Sequence, residues 1–147
     1  MEFSRYRAGL YGTVLTPFLP WVLLVFSDGF TLFFSAGYTD SFERFVDILS
    51  YTFLYTQGSF WYEYWFWHVS LVLVGAAAVL AWLRYTRVAG ASLVFGSVAL
   101  VRFSAGLQSH TSPSTALPVA LPWMVLSGYL LYTSTPSPPE AESASRN

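Results

Sequence analysis

The sequence predicts an all-α membrane protein with four transmembrane helices and an amphipathic outer segment between the first and the second. Of its 147 residues, 54% are hydrophobic and only 10% are charged, whereas soluble domains carry about 25% charged residues. Aromatic residues make up 20% of the chain, and Trp and Tyr concentrate where a bilayer meets water. Four apolar stretches between residues 9 and 133 approach the ~20 residues that a helix needs to cross the hydrocarbon core.

The first predicted crossing covers residues 9–27 and stops at Asp28-Gly29. Pro17 and Pro20 predict a kink within it. A cleaved signal peptide is the alternative, because the segment has a basic start and an apolar middle. The sequence disfavours it, since Phe34-Ser35-Ala36 is a poor cleavage site and the apolar run is long.

The outer segment, residues 28–59, is the least membrane-like part. A helix over about 40–56 is expected to lie on the outer interface or fold over the bundle, with Asp40 and Glu43 arranged as a cap at its start. Helical spacing relates five of its apolar residues: Phe42, Phe45, Val46, Leu49 and Phe53. Residues 30–36 form a stretch too short to span a membrane. The sequence does not decide between a strand-like and a re-entrant conformation for this stretch.

The second and third predicted crossings form a tight antiparallel hairpin. They cover residues 60–83 and 88–107, and the cytoplasmic turn between them covers residues 84–87. Helix–helix connections this short join antiparallel neighbours.

The fourth predicted crossing, residues 116–133, follows an outer loop at 108–115. Pro118 lies near its start, where a missing N–H costs little, and Pro122 is expected to bend it. The tail at 134–147 is polar and proline-rich, which predicts disorder.

Arginine placement predicts the orientation, because loops rich in positive charge normally stay in the cytoplasm. The N-terminus (residues 1–8), the 84–87 turn and the tail share one side, and they hold five of the seven basic residues: Arg5, Arg7, Arg84, Arg87 and Arg146. The opposite loops hold only Arg44. The sequence therefore predicts a multi-pass cell-membrane protein with both termini in the cytoplasm.

Two charged residues fall inside the predicted crossings, where charge is expensive. Glu63 and Arg102 lie at matching depth near the outer ends of the second and third crossings. An intramembrane ion pair, or snorkelling to the interface, is the favoured interpretation. A gate or anion site at the outer mouth is the alternative.

Histidine and aromatic residues offer two weaker candidate sites. His68 and His110 could ligate a haem or a metal, with Glu63 as a third ligand, but their depths do not match and no ligand spacing supports the pairing. Every residue from Phe60 to Trp67 except Glu63 is aromatic, which suggests a ligand platform or, better, an interfacial belt.

Several function classes have no support in the sequence. The net charge of −1 argues against a nucleic-acid partner, and the absence of cysteine excludes disulfides and thiolate chemistry. No phosphate loop, nucleophile elbow or HExxH motif is present, so we expect no enzyme, no cofactor and no resident metal. Small residues that favour close helix packing occur at 75–78 and Ala81, and at Ser92 and Gly96.

One stretch carries a family resemblance. Phe18-Leu-Pro-Trp21 followed by Asp28-Gly-Phe-Thr-Leu-Phe-Phe-Ser-Ala-Gly37 resembles a family of small haloarchaeal membrane proteins of unknown function. The resemblance implies a four-span integral protein without an assigned activity, and it transfers no site residues.

The leading functional hypothesis is therefore a structural or accessory subunit that contacts the lipid bilayer and binds membrane protein partners or further copies of itself. The first alternative is a small transporter or channel subunit whose outer mouth includes Glu63, Arg102 and His68. The second alternative is a haem or metal redox subunit built on His68 and His110.

Overall fold

The computed structural model describes residues 2–55, 61–111 and 113–134, with side chains from residue 5 and without those of 52–63. This part of the chain contains both helices and strands. The helices are α1 (Glu2–Leu15), α2 (Ile48–Tyr55), α3 (Trp61–Trp82), α4 (Thr86–Thr111) and α5 (Leu121–Tyr132), with a 3-10 turn at Thr16–Phe18. The strands are β1 (Val22–Val25), β2 (Phe30–Phe33), β3 (Gly37–Asp40), β4 (Arg44–Asp47) and β5 (Thr115–Leu117).

The predicted all-α, four-span architecture is wrong. Five strands form one antiparallel sheet in the order β4-β3-β2-β1-β5. Within the described residues, only α3 and α4 are long and apolar enough, by length and composition, to cross a membrane. At ~1.5 Å per residue, the 14 residues of α1 and the 12 of α5 reach only ~21 and ~18 Å.

The first and fourth predicted crossings each divide into a helix and a strand. Residues 9–27 hold the end of α1, the 3-10 turn and β1. The helix ends at Leu15 because Pro17 restricts the residue before it and lacks an N–H. Residues 116–133 begin in β5, and Pro122 lies in the first turn of α5, where a missing N–H is tolerated, so it starts the helix and does not bend it.

The predicted amphipathic helix at about 40–56 is also wrong. The segment completes the sheet with β4 and then forms the eight-residue α2. Its apolar residues do not share one buried face, because Val46 is buried while Phe42, Phe45 and Leu49 are exposed.

The turn from β3 to β4 explains why this helix does not form. Ser41 and Phe42 have φ values of 46° and 61°, and the Glu43 N–H donates to the Asp40 carbonyl at 2.8 Å. Two successive positive φ values with this hydrogen bond make a type I′ turn, whose twist suits an antiparallel hairpin. Asp40 does not cap a helix, since its carboxylate accepts from the Thr31 hydroxyl across the sheet.

The helices α1, α3, α4 and α5 pack as a bundle beside the sheet. Helices α1 and α5 are antiparallel, as contacts at both ends of α5 show. Gly9 lies against Leu131, and the Trp123 indole N–H donates to the Gly12 carbonyl at 2.8 Å. At one end of the bundle, the Tyr6 hydroxyl donates to the Ala81 carbonyl at 2.9 Å. The start of α1, the α3–α4 turn and the end of α5 therefore lie together, and the sheet lies at the opposite end.

Aromatic side chains join the sheet to the bundle. The Phe33 ring contacts the rings of Trp67 and Phe103, with centroids 5.3 and 5.4 Å away, and the Trp67 indole N–H donates to the Phe34 carbonyl at 3.1 Å. The Tyr51 and Tyr64 hydroxyls hydrogen-bond to each other beneath β3. These contacts fix where the sheet sits on the helices.

Candidate functional site

The outward faces of the bundle are the most unusual surface of the described chain. Large apolar side chains are exposed along all four helices, and examples are Val72 and Trp82 on α3, Phe95 on α4 and Leu126 on α5, with exposed fractions of 68, 76, 66 and 54%. Contiguous apolar surface of this kind marks a region that meets a membrane or another protein.

The interior is also mostly apolar, and small and hydroxyl-bearing residues are buried within it between the helices. The Ser70 hydroxyl donates to the Gly96 carbonyl of α4 at 2.9 Å. The Thr13 and Thr16 hydroxyls donate to α1 carbonyls four residues earlier in the chain, both at 2.8 Å. Transmembrane helices pack through such small and hydroxyl residues, since a side-chain hydroxyl bonded to a carbonyl leaves no unsatisfied polar group.

An apolar groove of about 370 Å³ runs between α4 and α5 on this outward surface. Gly90 and Gly128 lie where the two helices are closest, and a Cβ on Gly90 would approach the Gly128 carbonyl oxygen to 2.5 Å. The walls are mostly aromatic and branched side chains: Val94, Phe95, Val125, Tyr129 and Tyr132. Its size and lining suit an apolar side-chain ridge of another helix or a lipid chain.

Of the predicted ion pair, the structure describes only one side chain. Glu63 lies in the first turn of α3, and its side chain is outside the described residues. Arg102 is exposed on α4, with its guanidinium carbon 5.6 Å from the centre of the Phe66 ring, which is a cation–π geometry. The ion pair itself therefore stays a prediction.

The two histidines are not brought together. His68 is half-buried in α3, where its Nδ1 donates to the Tyr64 carbonyl at 2.9 Å. His110 is exposed in the last turn of α4. Because Ser70 contacts Gly96 across antiparallel helices, the α4 residue level with His68 lies about twelve positions before His110, which is ~18 Å along the helix. Among the described residues, no group of three or more His, Cys, Asp or Glu side chains is placed to hold a metal.

The aromatic run before residue 68 does not act as a single surface. Trp67 is buried against Phe33 of the sheet and Tyr64 against Tyr51 of α2, while Trp65 is half-exposed; Phe60 and the side chains of residues 61–63 are outside the described residues. Helical periodicity alone divides such a run between core and surface. The interpretation of the run as an interfacial belt stays a prediction.

Comparison with known proteins finds no similarity: no family model, curated protein or solved structure matches the chain. The resemblance to small haloarchaeal membrane proteins thus stays a prediction. Its residues, 18–37, form the end of the 3-10 turn, β1, β2 and the turn into β3. The function of the chain must be inferred from its own surfaces.

The sequence did not identify the groove. Of the predicted packing residues, Ser92 is half-buried and Gly96 is buried. A Cβ on Gly96 would meet Met124 and Leu73 at 3.2 and 3.4 Å. A Cβ on Gly75, in contrast, would meet no atom of another element within 4 Å. The available signal was the pair of small residues Ser127-Gly128 in an otherwise bulky segment.

Proposed function

We propose that this chain is an integral membrane protein whose α3–α4 hairpin crosses the hydrocarbon core and which serves as a structural or accessory subunit. The apolar outward surface of the bundle carries the proposal, since large apolar side chains are exposed on all four helices while the hydroxyl groups buried between them are bonded to backbone carbonyls. Lipid chains favour such a surface and water does not.

The cell membrane is the proposed location, with the start of α1, the α3–α4 turn and the end of α5 on the cytoplasmic side. Four arginines lie near this end of the bundle, namely Arg5, Arg7, Arg84 and Arg87, as the positive-inside rule favours. The sheet then lies on the outer side. Its edge strand β4 carries Arg44 and Asp47 at either end, which suits an edge that faces water, because open sheet edges are excluded from hydrocarbon.

The α4–α5 groove is the proposed surface for binding a transmembrane helix of another membrane protein. Phe95, Tyr129 and Tyr132 supply aromatic contact area, and the small residues between them allow a helix backbone to come close. Because both faces would already be in lipid, association depends on close packing and not on removal of apolar surface from water.

Site-specific photo-crosslinking in native membranes tests this role. A photoreactive residue at Phe95, in the groove, is expected to give a discrete adduct with another membrane protein or a second copy of the chain. The control position is Val72 on α3, which is exposed to nearly the same extent, 68% against 66%, but lies outside the groove.

A second variant separates specific binding from collision. Val125→Trp is expected to fill the groove and abolish the adduct at Phe95 while the protein remains in the membrane fraction. Adducts of equal yield at Phe95 and Val72, or none at either, would remove the docking role.

A further inference from the structure

A second cavity lies away from the groove, between the start of α1 and the end of α3. It has a volume of about 350 Å³ and is lined by Tyr6, Arg7, Leu10, Tyr11, Trp82 and Arg84. Two arginines and three aromatic residues thus line one cavity at the arginine-rich end of the bundle. Unlike the α4–α5 groove, this cleft combines positive charge with apolar walls.

The backbone at Arg84, which lines the cleft, adopts a left-handed conformation. Arg84 has a φ of 68°, a conformation that usually requires glycine at the end of a helix. Its N–H donates to the Ala81 carbonyl at 3.0 Å, and the Tyr85 N–H donates to the Leu80 carbonyl at 2.8 Å. This is the Schellman ending, and glycine would satisfy it without a side chain. Strain of this kind at a non-glycine residue points to a role for the side chain.

The Arg84 side chain packs over the Tyr6 ring. The Arg84 guanidinium carbon lies 4.6 Å from the centre of the Tyr6 ring, and that ring is buried while its hydroxyl donates to the Ala81 carbonyl. The same helix turn of α1 carries Arg7. Arg84 is therefore restrained by its backbone and by a fixed aromatic face at the end of α3, and the residue remains exposed.

We infer that this cleft binds the phosphate headgroup of an anionic membrane lipid. This inference rests on the membrane location proposed above. The two arginines that line this opening suit a phosphate, which accepts several charge-assisted hydrogen bonds from guanidinium groups. Basic pockets between helices on the cytoplasmic side are the usual form of such sites.

The surroundings of the cleft favour a lipid over free phosphate. Tyr11 and Trp82 are exposed at its walls, as amphipathic rings are at headgroup depth. One helical turn further toward the sheet, Val14 on α1 and Val79 on α3 are also exposed. They form an apolar path along which the acyl chains of a bound lipid can lie.

Lipid binding is tested on the full chain in detergent by native mass spectrometry with phosphatidylglycerol and phosphatidylcholine added in turn. We expect phosphatidylglycerol to bind at least tenfold more tightly, and inorganic phosphate at millimolar concentration not to displace it. Equal binding of the two lipids, or displacement by inorganic phosphate alone, overturns the lipid assignment.

Arg84→Gly is the decisive variant because it removes the guanidinium and provides the residue that the left-handed turn favours. We expect a loss of phosphatidylglycerol preference of at least tenfold, with an unchanged or higher melting temperature. Arg87→Gln is the matched control, since it removes a positive charge three residues away and does not line the cleft; it is expected to keep the preference. Equal loss in both variants would show general charge attraction and overturn the site.

Failure of this inference is distinguishable from failure of the membrane location. Extraction of native membranes at alkaline pH reports the location without reference to the cleft. A chain that stays embedded but binds both lipids equally overturns only the headgroup site, whereas a chain released from the membrane overturns the proposed function as well.

Discussion

Single residues decide how closely the helices approach one another. At the α4–α5 crossing, a Cβ on Gly90 would lie 2.5 Å from the Gly128 carbonyl oxygen and 2.8 Å from the Tyr132 backbone nitrogen. Neither contact is with the flexible end of a side chain, so the two helices would have to move apart. The groove beside this crossing depends on the same close approach.

Gly90→Ala is therefore expected to destabilise the fold by ~1–3 kcal/mol, the usual cost of overpacking a well-packed interior. Thermal unfolding in detergent measures it, and the photo-crosslink at Phe95 should weaken in parallel. Gly75→Ala is the matched control, because nothing lies within 4 Å of the added methyl group and alanine favours helix more than glycine does. Equal melting temperatures for the two variants would show that the crossing is looser than described.

At the scale of single elements, the sequence identified long helices better than short strands. The predicted second and third crossings occupy the same part of the chain as α3 and α4, because a long apolar run has few alternatives to a helix. Short apolar runs such as Val22–Val25 and Phe30–Phe33 are ambiguous. The turn between them is centred on Ser27 and Asp28 and lacks the positive φ values of an Asp-Gly hairpin turn, and beside a longer apolar run Asp28-Gly29 also resembles the end of a span.

Two further elements could not have been found from residue patterns. The β3–β4 turn uses Ser41 and Phe42 at positive φ, where the usual Asn-Gly signal is missing. The strand β5 pairs with β1 across about ninety residues of chain, and such distant pairing leaves no local signature. The α4–α5 groove and the Tyr6–Arg84 contact could not be predicted for the same reason, because each depends on tertiary packing.

The start of α2 carries a pH-dependent cap. Asp47 accepts from the backbone N–H groups of Ser50 and Leu49 at 2.9 and 3.1 Å, and from the Ser50 hydroxyl at 2.6 Å. The Ser50 hydroxyl and then the Ser50 N–H are the main causes that lower the pKa of this exposed carboxyl below its ordinary value. These bonds favour the charged form, so the cap contributes stability above the ordinary carboxyl pKa and loses it as the pH falls through the lowered value.

Asp47→Ala is expected to lower the melting temperature at pH 7, and the difference from the unmodified chain should vanish in strong acid. Asp28→Ala is the control, since it removes the same charge from the exposed β1–β2 turn and not from a helix start. A difference that persists undiminished at low pH, or an equal effect of Asp28→Ala, would show that the carboxylate does not stabilise α2 in this way.

At the scale of the whole molecule, two features of the bundle point to the same environment. Its outward surface is apolar along four helices, and its interior satisfies hydroxyl groups on backbone carbonyls. Composition alone indicated a membrane protein, and the burial of each residue shows which faces of the helices are exposed. The sheet lies at one end of the bundle and the arginines at the other. The two ends therefore differ in positive charge, and this difference determines orientation in a bilayer.

Cysteine accessibility measures this environment directly, because the natural chain contains no cysteine and each introduced thiol is the only one. Single variants at Val72 and Phe95 probe the outward faces of α3 and α4, and variants at Arg87 and Asp28 probe the two ends of the bundle. In sealed cells, a membrane-impermeant maleimide is expected to label Asp28→Cys only. After permeabilisation it should also label Arg87→Cys, with Val72→Cys and Phe95→Cys still unlabelled. Labelling of Val72→Cys and Phe95→Cys as fast as that of Arg87→Cys would place both faces in water and contradict the membrane account.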